Sequence, residues 1–167
     1  MKIRVFVSGI RIGLEEARRC VMDAIGGPLF EAGSMELFGS RPEDPLSVSL
    51  KEVERAHVLV SILSDRYGAI PSGESKSFSQ LEYEHALTLG RPILAYLYRA
   101  EKPDPKQSEF IARVKTTQTV RPQITDTDHL AKCVVADLQF LVSETFANRS
   151  STNRVKSGDA HGESGLS

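Results

Sequence analysis

Cysteine is scarce in this 167-residue chain, and the two that occur, Cys20 and Cys133, lie far apart on helical patterns. With no Cys-x-x-Cys pair and no Cys/His spacing suited to zinc, they read as reduced thiols used for packing. Charge of one sign is also lacking: 21 Lys and Arg against 22 Asp and Glu leave a net charge of -1. Phosphate neutralisation needs a basic excess or a basic stripe, so nucleic acid is not an expected partner. No run approaches the ~18 consecutive apolar residues of a membrane span. The N-terminus enters a strand directly, without a signal-peptide pattern. The expectation is a cytoplasmic protein with no membrane partner. There is no internal repeat, and the length fits one domain of ~100–200 residues. A composition 40% hydrophobic and 26% charged suffices for one compact core.

Ile3, Val5 and Val7 open a short apolar run that reads as a buried strand ending at Gly9. Leu14, Ala17, Val21 and Ala24 then recur at helical spacing until Gly26, Gly27 and Pro28 interrupt them. Between Phe30 and Phe38 the pattern admits a short second strand around Met35 and Leu37. Asp44 before Pro45 starts a helix whose inward residues are expected to be Leu46, Leu50 and Val53. Val58 to Leu63, apolar apart from Ser61, has the composition of a central strand covered on both faces. Ser77 with Gln80 forms a capping box opening a helix to about Leu89, where Gly90 and Pro92 stop it. Ile93 to Tyr98 is a strand, Gln107 to Val114 a helix and Thr117 to Val120 a strand. Leu130, Val134, Leu138, Leu141, Val142 and Thr145 mark a long final helix.

Strands alternating with helices imply parallel pairing, hence an α/β fold: a flavodoxin-like three-layer sandwich of about five mostly parallel strands. It should occupy residues 1–146, followed by a disordered polar tail over 147–167, where Ser, Asn, Gly, Arg and Asp leave little to bury.

In such a sheet, ligands bind beyond the carboxyl ends of the strands where strand order reverses. That rule selects Ser8, Gly9 and Arg11 after the first strand, and Ser64, Arg66 and Tyr67 after the central one, with the helix start at Ser77 alongside. Arg11 and Arg66 would grip a phosphate or carboxylate, assisted by the free amides at that helix start; the alternative is a pair of solvated loop arginines. Glu82 shares the inward arc of its helix with Phe78, Leu81, His85, Ala86 and Leu89. Burying an acid without partners is costly, so such a residue is either paired, here with Arg66 or His85, or placed in a cleft for chemistry. Glu84 and Glu74 read as solvated charges.

Several segments resemble a domain family of unknown function often found ahead of NACHT-type and other signal-transduction ATPase modules. They are Ser8 with Leu14 to Arg18, Met35-Glu36-Leu37-Phe38, Pro45-Leu46, Arg66-Tyr67-Gly68, Ser77-Phe78 through Ala86, and Gly90-Arg91-Pro92. The match covers roughly Ile3 to Tyr98. Gly13 and Ala17 stand where that family commonly has Asp and Glu, and His57 where an Asp is usual. The family is in turn distantly similar to TIR domains and nucleoside 2-deoxyribosyltransferases, which act on N-glycosidic bonds of NAD or nucleosides. Ser64, Tyr67, Phe78, Ser79 and Glu82 follow the TIR order, and Glu82, Ala86 and Gly90-Arg91-Pro92 the transferase spacing.

The resemblance implies Glu82 as catalytic residue, beneath an anomeric carbon whose oxocarbenium character it stabilises or attacks. It also implies Glu36 near a ribose hydroxyl, the alternative being a surface carboxylate, with NAD or another nucleotide as substrate or ligand, no resident cofactor and no metal. Self-association and an ATPase-type signalling partner would follow, in signalling or defence. The alternatives are a sensor that binds a nucleotide-derived signal without turnover, and an adaptor that recruits protein partners.

Overall fold

The computed structural model describes residues 1–34 and 42–158, with side chains through residue 152. Five strands form one sheet: β1 (Ile3–Ser8), β2 (Phe30–Gly33), β3 (Val58–Leu63), β4 (Ile93–Tyr98) and β5 (Val120–Ile124). Between them run α1 (Glu15–Ile25), α2 (Pro45–Arg55), α3 (Phe78–Thr88) and α4 (Pro105–Thr117), and α5 (Thr127–Gly158) follows. The strand order is β2-β1-β3-β4-β5 and every pairing is parallel. This is the flavodoxin-like order, with its reversal between β1 and β3.

Local chemistry sets the helix starts. The Asp44 carboxylate accepts from the Ser47 amide at 3.0 Å while Pro45 occupies the first helical position of α2. The Ser77 hydroxyl accepts from the Gln80 amide at 3.2 Å, which is half of the expected capping box. The reciprocal half is absent: the Ser77 amide donates instead to the Tyr67 hydroxyl at 3.1 Å. At α4 the Asp104 side chain makes no cap bond and accepts from the Tyr67 amide at 3.1 Å.

All six residues of β3 are buried, as a strand covered on both faces requires. Side chains alternate across the sheet. Phe6, Leu59, Leu63, Ile93, Ala95 and Leu97 share one packed cluster with Val53 of α2, Tyr83 and Ala86 of α3, and Phe110, Ile111 and Val114 of α4. The period of two therefore turns Ser8, in step with Phe6, toward the α2 and α3 layer. Val5, Val7, Val60 and Tyr96 are buried on the other face. Cys20 of α1 lies 3.7 Å from Asp128 at the start of α5, so those two helices are neighbours.

The elements differ from expectation, or extend past it, in several places. Within the stretch Phe30 to Phe38, where a short second strand is expected, a strand forms at Phe30–Gly33, and Met35 and Leu37 lie outside the described residues. On α2 the buried residues are Val48, Ser49 and Val53, while Leu46 and Leu50 are only half-buried, because the helix is rotated to bring Ser49 inward. The last strand is Val120–Ile124, displaced because α4 continues to Thr117. Finally, α5 is helical through Gly158, so a helix occupies the first part of the tail expected over 147–167, of which 159–167 lie outside the described residues. Its serines and threonines need not unwind it: Ser150, Ser151 and Thr152 return their hydroxyls to the carbonyls of Phe146, Ala147 and Asn148.

The chain divides into two compact units, Met1–Val134, which carries the whole sheet, and Val135–Ser167. Among the described residues no helix is long and apolar enough to cross a membrane.

Candidate functional site

The place selected by strand order is where β1 and β3 end, next to α2 and α3. Ser8 closes β1 and faces the α2–α3 layer, where Glu82 projects inward from the second turn of α3. Both carboxylate oxygens are held by hydroxyls: Ser8 donates to Oε2 in a short hydrogen bond, and Ser49 of α2 donates to Oε1 at 2.6 Å. Glu82 is only 5% exposed. Arg18, buried on α1, donates from Nη1 to the carbonyl of Gly9 at 3.0 Å and toward that of Ile10 at 3.4 Å. Its charge also acts on Glu82.

Burial pushes the Glu82 carboxyl above its ordinary value, and the bonds from Ser49 and Ser8 and the Arg18 charge only partly offset this. A desolvated, oriented acid next to hydroxyls can hold a proton, or when ionised can stabilise positive charge developing on a nearby carbon.

The loop after β3 is pinned on its other side. The Ser64 carbonyl accepts from the Gln107 side chain at 2.8 Å, and the Asp65 carbonyl from the Asp104 amide at 2.8 Å. The Asp65 carboxylate accepts from the Lys102 amide at 2.8 Å. Tyr67 is buried, its hydroxyl donating to Gln80 Oε1 and accepting from the Ser77 amide. At Gly68, with φ 89°, a Cβ would stand 2.6 Å from Ile10 Cγ2, so glycine allows the loops after β1 and β3 to touch.

The structure therefore separates the expected residues into two groups. Ser8 and Gly9 join Glu82 directly or through Arg18, whereas Tyr67 and Ser77 belong to a cluster around Gln80. Ser64 is buried at the end of β3, and Arg11 and Arg66 are exposed. Glu36 lies outside the described residues. The ion pairs considered for Glu82 are not the ones formed, since His85 meets Glu54 at 3.0 Å.

Sequence reasoning missed Arg18 and Ser49. Arg18 carried a readable signal, for it falls on the arc of Leu14, Val21 and Ile25, all buried. Ser49 carried a fainter one, lying four residues before Val53. Among the described residues, no cluster of three or more His, Cys, Asp or Glu side chains could hold a metal ion.

The pattern of the family described as a domain of unknown function, DUF4062, matches residues 4–139. The match spans most of the chain, which belongs to that family. It extends beyond the segments that carried the resemblance, through α4 and β5 into α5. No curated protein matches the chain.

Proposed function

We propose that this member of the DUF4062 family holds a nucleotide-type ligand where β1 and β3 end, and that Glu82 acts there on an N-glycosidic bond. The observation that carries the reading is the Glu82 carboxylate itself. It is the one acid among the buried groups of the described residues, and it stands at the reversal of strand order, where ligands of such sheets bind. The order of Ser64, Tyr67, Phe78, Ser79 and Glu82, which resembles the TIR arrangement, supports the same assignment.

A single carboxylate narrows the chemistry. Cleavage of ordinary glycosides uses two acids, one to protonate the leaving group. The nicotinamide of NAD is already cationic, so it takes the bonding pair and departs neutral without a proton donor. Ionised Glu82 would stabilise the ribosyl cation left behind; water then adds at the anomeric carbon and gives up a proton to solvent or to the carboxylate. Ribose hydroxyls have the chemistry of Ser8 and Ser49, so entry of the sugar exchanges one hydroxyl donor to Glu82 for another. From the resemblance to TIR domains we read this activity as part of cytoplasmic signalling or defence, raised by self-association or by an ATPase-type partner.

A second reading, a sensor that binds the nucleotide without turnover, is favoured by one observation: both Glu82 oxygens already have donors, and the side chain is nearly closed to solvent. Incubation of concentrated protein with NAD, in parallel with Glu82→Gln, separates the two. Nicotinamide release lost in the variant supports cleavage. Saturable NAD binding without products selects the sensor, and absence of both binding and release refutes the nucleotide pocket.

A further inference from the structure

We propose a second ligand site, on the side of α3 away from Glu82, that takes a small phosphate-bearing anion. It goes beyond the function proposed above and does not depend on it. Two residues along a helix turn through about 200°, so Gln80 and Glu84 face nearly opposite to Glu82. There, between α3 and α4, lies a cleft of about 500 Å³ whose lining includes Tyr67, Lys76, Gln80, Lys106, Glu109 and Arg113. That volume falls in the ~300–1,000 Å³ range of small-molecule sites.

The charges of the cleft are unevenly matched. Glu84 is shared by two cations, with Lys76 Nζ at 2.8 Å and Arg113 Nη1 at 3.4 Å, and it also accepts from Gln80 Nε2 at 3.1 Å. Burial alone would raise the Glu84 carboxyl, but these donors hold it below its ordinary value, so it is ionised and saturated. Among the described residues Lys106 makes no ion pair, and its ammonium stands 5.9 Å from the centre of the Tyr67 ring. Lys76, Lys106, Arg113 and Glu109 line the cleft, Glu84 adds a second carboxylate beside it, and a positive excess remains. Two ammonium groups and a guanidinium fork around one cleft match an anion with several oxygens, which phosphate supplies at higher charge density than a carboxylate.

The site can be probed with sodium pyrophosphate on the full chain, following the Gln80 side-chain amide and the backbone amides of residues 75–80 and 106–113 by NMR. Sodium chloride at matched ionic strength and sodium citrate serve as parallel arms. Saturable shifts confined to these residues are expected, weakened about tenfold by Lys106→Gln and by Arg113→Gln, both at exposed positions. Glu84→Gln should act in the opposite direction and tighten binding, because it frees two cations. Shifts reproduced by chloride, or insensitivity to all three substitutions, overturn the site. Citrate binding as tightly as pyrophosphate overturns its assignment to phosphate, and shifts centred on Ser8 and Glu82 move the anion to the other crevice.

Discussion

Replacing Ser49 by Ala tests whether the hydroxyl cradle around Glu82 has the energetic character the geometry implies. The substitution removes one donor, 2.6 Å from Oε1, and leaves that buried oxygen without its partner. A hydrogen bond to an ionised group contributes about 1.5–3 kcal/mol, against about 1 kcal/mol between neutral groups. The loss should therefore depend on the protonation of Glu82. Burial has raised the Glu82 pKa above the ordinary 4.5, so whatever stability its protonated form contributes is complete below 4.5 and is lost as pH rises through the folded value. The Ser49 bond lowers that folded pKa, so Ser49→Ala raises it further and makes ionisation in place more costly. The gap between wild type and variant must then open with rising pH, from about 1 kcal/mol near pH 4 to about 2 kcal/mol once wild-type Glu82 is ionised. At the upper end this is roughly 4–8 °C in Tm for a chain of this size. Denaturant or thermal unfolding of both proteins across that range provides the measurement. A difference that stays flat with pH, or that shrinks as pH rises, refutes the account of Glu82 as a buried acid partly offset by Ser49.

Glu82→Gln should shift stability in favour of the variant as pH rises from about 4 to about 8, because the amide keeps the shape but has no proton to lose. Paired unfolding curves would show it, and a shift in favour of wild type would contradict the raised pKa. Gly68→Ala should cost about 1–2 kcal/mol, since φ of 89° is unfavourable for an L side chain, and more where the new methyl meets Ile10 Cγ2. Adding Ile10→Ala should return the steric part and leave the conformational part, a separation that unfolding of the double variant measures. Asp44→Ala should cost about 1 kcal/mol through loss of the α2 cap, and Asp44→Ser should recover most of it.

What the sequence made legible follows from how completely each element is buried. β3 and β4 carry unbroken apolar runs, and their bounds at Val58–Leu63 and Ile93–Tyr98 coincide with expectation, as does the Ser77 cap of α3. The strands with the weakest sequence signal are the two at the sheet edges. β2 has only four residues, including Ala32 and Gly33, and β5 holds Arg121 and Pro122, which an edge strand tolerates because one side of its ladder is unpaired. Glu82 stood out because an acid on an apolar arc is anomalous, and Arg18 obeys the same logic on α1. Ser49 did not stand out: a serine is small enough for either face, and only the rotation of α2 decides. The Tyr67 hydroxyl, which takes the Ser77 amide where a capping box was expected, depends on a contact ten residues away that no local spacing encodes.

The Glu82 cluster is not where this fold gains stability. A buried ionisable group is favourable only when its partners outweigh desolvation, and replacing such groups by well-packed apolar ones of similar volume is often neutral or stabilising. The raised pKa of Glu82 says that Ser8, Ser49 and Arg18 fall short of full compensation. Those four residues come from β1, α1, α2 and α3, so the burden is assembled from separate parts of the chain and converges at the reversal of strand order. The polar cluster on the other side of α3 differs in kind, because Glu84 is held below its ordinary value by its neighbours. One helix thus carries an under-compensated acid toward the ends of β1 and β3 and a fully compensated acid toward α4. An acid whose ionised form weakens the fold where it stands, at the place where such sheets bind ligands, is the residue on which the function proposed above rests.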